Sequence, residues 1–184
     1  MTDTASAAAA GTAGLRLSSA RGRWVVAATV LGSGMAALDA TVAGIALPAV
    51  GRDFHASVGS LQWVVDAYTL TLAGLLLLGG KLGDSYGRRK MFSVGIVWFA
   101  VASLLCGLAP SVGVLIAARA LQGVGGALLT PGSLAILEAS FAEQDRSAAI
   151  GAWSGLGGVA TAIGPFLGGW LISAVSWRLV FFIN

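Results

Sequence analysis

The chain has 184 residues, of which 57% are hydrophobic and 10% charged, with a formal net charge of +3 and a mean hydropathy of +0.86. An ordinary soluble domain carries about a quarter charged residues, so this composition excludes one; the apolar residues come in blocks long enough to cross a bilayer of about 30 Å as helices of about 20 residues. The pI of about 9.6 does not point to nucleic acid, because most cations sit beside hydrophobic blocks instead of forming one stripe. The single Cys106, inside an apolar block, leaves no disulfide framework to build.

Residues 1–20, rich in Ala, Gly, Ser and Thr and free of aromatics, read as a flexible tail. Residues 21–184 read as one partial transmembrane half. Its first helix is expected over about residues 24–50, behind Arg21 and Arg23, and is too long for a signal-peptide core of about 7–15 residues. Further spans are expected over about residues 61–80, 91–109, 112–137 and 147–173, each bounded by Gly, Pro or charge, with a sixth from about residue 178 in "WRLVFFIN". Continuous apolar runs favour helices over barrel strands, which alternate and are about ten residues long. The expected fold class is all-α, a polytopic membrane helix bundle.

Arg16, Arg21 and Arg23 precede the first helix, Lys81, Arg88, Arg89 and Lys90 follow the second, and Arg146 follows the fourth, whereas the alternate loops hold only Arg52 and Arg178. The positive-inside rule therefore places the amino terminus in the cytoplasm of a multi-pass protein of the cell membrane. His55, in a short outer loop, reads as solvated. Trp24, Trp63, Trp153, Trp170 and Trp177 read as an interfacial belt, with Trp63 and Tyr68 available to stack on an aromatic ligand.

The stretch "GGKLGDSYGRRK", Gly79 to Lys90, packs one acid, four cations and four glycines between two apolar runs. Topology alone accounts for the cations. Asp84 is different: it lies near the carbonyl-rich end of the second helix, where the macrodipole penalises a carboxylate by about 0.3–1 kcal/mol, so it needs a partner. Arg88 serves if the stretch makes a helical turn; otherwise the amino end of another helix does. Gly80, Gly83 and Gly87 allow tight turns and close approach.

Asp39 lies inside the first helix, where an ionised acid costs about 2.5–3.5 kcal/mol on insertion scales, and a functional role is the working hypothesis. Counting 1.5 Å per residue, Asp39 sits about 16 Å below the outer surface, Arg119 about 10 Å and Gln122 about 15 Å, so the three share a level. A carboxylate that meets Arg119 in one state and leaves it in another is a proton carrier. Asp66, about 8 Å into the second helix, either faces a cation-attracting vestibule or is solvated near the interface. In the fifth helix, "GAWSGLGGVATAIGPFLGGWL" spaces Gly151 with Gly155 and Gly164 with Gly168 for close helix packing, and interrupts the ladder at Pro165.

These features resemble the major facilitator superfamily. "GKLGDSYGRRK" is similar to its cytoplasmic loop signature at Gly80, Leu82, Gly83, Asp84, Gly87, Arg88 and Arg89, with Ser85 where a cation is usual. "LDATVAGIALPAV" and "LIAARALQGVGGAL" resemble signatures of the fourteen-helix drug:proton antiporter branch, and the fifth helix resembles the antiporter signature at Gly164, Pro165, Gly168 and Gly169, with Ala160 departing from a glycine. The resemblance implies a loop that latches the outward-open state through charge contacts with the other half, proton transfer through Arg119, coupling or cation recognition by Asp39, and a sealed contact by the fifth helix with the carboxyl-terminal half. It also implies an amino-terminal fragment, since the family's full chain has twelve or fourteen helices. The expected function is proton-coupled export of drugs, antibiotics or other small amphipathic molecules by alternating access. The chain is expected not to be an enzyme, and no cofactor is required beyond the proton gradient. The sequence offers no phosphate-cradling glycine loop and no metal-ligand cluster; "GVGGAL" from Gly123 lies in an apolar helix without a preceding strand. Expected partners are the lipid bilayer, the missing carboxyl-terminal half and a small-molecule substrate, with no nucleic acid. A metabolite uniporter or symporter of the same superfamily and a non-transporting membrane subunit or sensor stay open as alternatives.

Overall fold

The computed structural model describes residues 14–184. Its helices, in chain order, are α1 (Ala20–Phe54), α2 (Val58–Tyr86), α3 (Arg88–Gly107), α4 (Val112–Ser140), α5 (Glu143–Ala174) and a short α6 (Leu179–Phe182). The first five are long and apolar enough to cross a membrane; even α3, with 20 residues, spans about 30 Å at 1.5 Å per residue. Most ends run a few residues past the expected spans because polar caps finish them beyond the apolar blocks. Ser19, Ser57 and Ser111 accept hydrogen bonds from the amides of Gly22, Ser60 and Val114 at the starts of α1, α2 and α4. His55, at φ 49°, closes α1 in the left-handed region.

The twelve-residue stretch around Asp84 is almost wholly helical. Gly87 alone, at φ +97°, separates α2 from α3, a conformation glycine adopts without steric cost. Residues 1–13 of the expected tail lie outside the described residues. Residues 14–19 depart from that expectation: the Leu15 amide donates to the Ser140 carbonyl at 2.8 Å and the Leu15 carbonyl accepts from the Ala142 amide at 3.1 Å. The Leu17 amide donates to Asp145 Oδ2 at 2.9 Å. Leu15 and Leu17 also pack on the cluster that holds Phe141 and Leu137, so these residues have both hydrogen-bonding and apolar reasons to stay.

α4 is the hub, packed against α2, α3 and α1, while α5 packs mainly on α1. In lipid, helices gain little from the hydrophobic effect against each other, so close van der Waals approach decides the packing. A Cβ on Gly125 would lie 2.8 Å from the Phe99 backbone nitrogen, and one on Gly123 2.6 Å from the Tyr68 carbonyl. Glycine thus brings α4 to both neighbours. The outer surface stays apolar, with Leu77 of α2 88% exposed and Phe166 of α5 81% exposed. Pro48, Pro131 and Pro165 lie within α1, α4 and α5.

Candidate functional site

Arg119 and Gln122 are three residues apart on α4 and so share a face, and that face meets Asp39 of α1 in the centre of the bundle. The three are buried, with exposures of 1%, 0% and 0%. Arg119 Nη1 donates to Asp39 Oδ2 at 2.5 Å and to Gln122 Oε1 at 2.7 Å. Gln122 Nε2 donates to Asp39 Oδ1 at 2.9 Å, and Arg119 Nε to the Val64 carbonyl of α2 at 3.1 Å. The sequence count that puts these residues at one depth is matched by direct contact.

The cluster extends to residues that the sequence did not mark for it. Asn184 Nδ2 donates to Asp39 Oδ1 at 3.1 Å and to Ser103 Oγ at 3.1 Å. Ser103 also accepts from Gln122 Nε2 at 3.2 Å and donates to the Phe181 carbonyl at 2.7 Å. The Tyr68 ring lies 4.3 Å from the Arg119 guanidinium carbon, within cation–π range. Every contact on Asp39 is therefore a donor, an arrangement suited to the ionised carboxylate. Among the described residues no buried side-chain nitrogen or oxygen lacks a partner. A serine in a membrane helix usually bonds to its own backbone, so no sequence signal sets Ser103 apart. Asp66 does not join: it is half-buried and accepts from Gln62 on its own helix at 3.0 Å.

Beside the cluster is a cavity of about 470 Å³, bordered by α1, α2, α4 and α5. Tyr68 lines it while also covering Arg119. Trp153 lines it too and donates to Ser33 Oγ at 2.8 Å. This corrects the expectation of an interfacial Trp153, whose indole finds its partner inside the bundle. Trp177 is likewise buried: it donates to Asp53 Oδ2 at 3.1 Å and stacks against Arg178, whose guanidinium carbon is 4.3 Å from its ring. Arg178 pairs with Asp53 at 2.7 Å, tying the end of α1 to the α5–α6 connection.

At the Gly87 end, Asp84 pairs with Arg88 at 3.1 Å, the partner the sequence offered for a helical turn, although Gly87 interrupts the helix between the two. Arg88 Nη1 also donates to the Ala135 carbonyl of α4 at 3.1 Å, and Arg89 Nη2 to Ser140 Oγ at 3.2 Å. Close approach does not need Gly80 or Gly83: a Cβ there would meet Pro131 Cβ at 3.8 Å and Arg88 Cα at 4.0 Å. The glycine that sterics require is the neighbouring Gly79, whose Cβ would collide with the Ala127 carbonyl. On α5, a Cβ on Gly164 would come 2.5 Å from Thr41 Oγ1, and one on Gly168 would overlap Val42. These two seat α5 on α1. Gly169 meets nothing within 4 Å, and Pro165 is exposed.

Five membrane-length helices enclosing a buried ion pair beside a cavity define a polytopic helical membrane protein. A family model described as Major Facilitator Superfamily matches residues 29–184, and the chain belongs to that superfamily, as a multi-pass membrane protein. Its relatives include the tetracenomycin C resistance and export protein of Streptomyces glaucescens, 46% identical over 89% of this chain and 31% of that protein. The puromycin resistance protein pur8 of Streptomyces alboniger is 48% identical over 80% of this chain and 29% of its own length. The multidrug resistance protein Stp of Mycobacterium tuberculosis (strain CDC 1551 / Oshkosh) is 41% identical over 85% and 29%. The chain thus spans about 30% of the length of these relatives. The fold is similar to the crystal structure of a bacterial homolog to the human lysosomal transporter Spinster, with a TM-score of 0.73 at 23% identity over 88% of this chain and 39% of that one.

Proposed function

We propose that this chain is the amino-terminal part of a transporter that exports drugs, antibiotics or other small amphipathic molecules across the cytoplasmic membrane in exchange for protons. The observation that carries the reading is the buried Asp39–Arg119–Gln122 cluster, one tyrosine ring away from the cavity. Protonating Asp39 removes the charge that holds Arg119, so the pair is a two-state element that both a proton and a ligand pressing on Tyr68 can bias. The resistance and export proteins among its relatives support the outward direction. The Gly87 end, with Asp84, Arg88 and Arg89, faces the cytoplasm with the amino terminus, and its ion pair latches one state of an alternating-access cycle. The exposed side of α5 around Pro165 and Gly169 meets the carboxyl-terminal half. No bound cofactor is needed, since one pH unit supplies about 1.4 kcal/mol per proton and 100 mV about 2.3 kcal/mol.

The test is efflux from proteoliposomes holding the protein of the complete reading frame that contains these residues, with an imposed pH gradient. Proton-driven extrusion is expected in the wild type. It should be lost in Asp39→Asn, which keeps the side chain's shape but cannot ionise and turns one of its two acceptor positions into a donor. Uptake in place of extrusion would establish importer behaviour, and unchanged extrusion by Asp39→Asn would remove Asp39 from the coupling.

A further inference from the structure

The cavity beside the ion pair has a definite hydrogen-bonding polarity. Four of the hydroxyls that line it have turned their single proton back onto their own helix. Ser33 donates to the Thr29 carbonyl at 2.7 Å, Thr69 to Val65 at 3.1 Å, Thr130 to Gly126 at 2.9 Å and Thr161 to Gly157 at 3.0 Å. A hydroxyl has one proton and two lone pairs, so what these four present to the cavity is acceptor capacity. The Trp153 N–H is also spent, on Ser33. That leaves Tyr68 and Ser154 to set against the free acceptors of Thr69, Thr130 and Thr161 and the second lone pair of Ser33. The lining carries no carboxylate, ammonium or guanidinium. Arg119 lies on the Tyr68 ring with its charge engaged by Asp39. An incoming carboxylate would find neither a cation nor a surplus of donors, and would lose its hydration. A flat molecule with several O–H or N–H groups would find the aromatic side chains of Tyr68 and Trp153 and the acceptors together.

We infer that this wall selects aromatic molecules that carry several O–H or N–H donors and no carboxylate, an inference that rests on the export reading and names its substrate class. The probes are a polyhydroxyflavone, its permethylated derivative and a carboxylated analogue of the same ring system. Permethylation keeps the rings and the acceptors and removes the donors. Binding is measured by equilibrium dialysis on the protein of the complete reading frame in nanodiscs, and efflux of the same compounds from proteoliposomes. The hydroxylated compound is expected to bind roughly five-fold tighter for each hydrogen bond formed, and the carboxylated one weakest. Thr130→Val with Thr161→Val should bring the ratio of hydroxylated to permethylated affinity toward one, while leaving affinity for the permethylated compound unchanged, which also reports that the cavity is intact. Thr130→Ser with Thr161→Ser retains the acceptors and should retain the ratio. Equal affinities in the wild type, an unchanged ratio in the valine variants, or tight binding of the carboxylate would overturn the inference. Selective binding without proton-driven efflux would support it and sink the export reading; efflux of both flavones with equal affinities would do the reverse.

Discussion

The Asp39–Arg119 pair is the point in the chain where one side chain can do most damage. Both are removed from water and each is satisfied by the other. Arg119→Met should therefore destabilise the bundle by about 3–5 kcal/mol, because it strands a buried carboxylate. Adding Asp39→Asn removes that stranded charge, and the double variant is expected to recover most of the loss. Thermal unfolding of the four proteins in detergent checks this; additive losses would mean the pair is not coupled in the native state. Arg119→Lys is a separate probe. An ammonium keeps the charge but gives up both the Nε hydrogen bond to Val64 and the close approach of the guanidinium to the Tyr68 ring, so under the proposed function proton-driven efflux from proteoliposomes should fall although the charge is conserved.

Between helices, the glycines of α5 fall into two kinds that their spacing does not separate. Gly168→Val would drive its branch into Val42 and should cost about 1–3 kcal/mol, partly restored by Val42→Ala. Gly169→Val meets nothing among these residues, so a loss above about 0.5 kcal/mol in the protein of the complete reading frame would report contact of this side of α5 with the carboxyl-terminal half. Thermal unfolding temperatures of the three variants order these effects. The same contrast explains what was legible in the sequence. The five spans were readable because apolar length and flanking charge are local properties. The Asp39–Arg119 level followed from simple counting along two helices. Gly79, and not Gly80 or Gly83, proved the sterically required residue because the deciding atom, the Ala127 carbonyl, belongs to another helix. Ser103, Asn184 and the inward-facing Trp153 escaped for the same reason: their partners are far away in the chain. The ordered residues 14–19 were hidden by a composition that suits a free tail, and are held by backbone pairing with residues 140–142.

For the molecule as a whole, orientation can be tested with little background. The single cysteine of these residues, Cys106, is buried, so within them a cysteine introduced at an exposed site stands out. Lys90→Cys should react with an impermeant maleimide only in inside-out vesicles, and Val58→Cys only in right-side-out ones; the opposite pattern would place the amino terminus outside. The shortness of the connections has a mechanical consequence. A lone glycine joins α2 to α3, three residues join α1 to α2, and four join α3 to α4. With so little slack, tilting any one of these four rods drags its neighbours along. Large excursions must then be swung by the assembly as a unit, hinged against whatever lies on its apolar flank, and the single joint at Gly87 acts more as a weld than as a pivot.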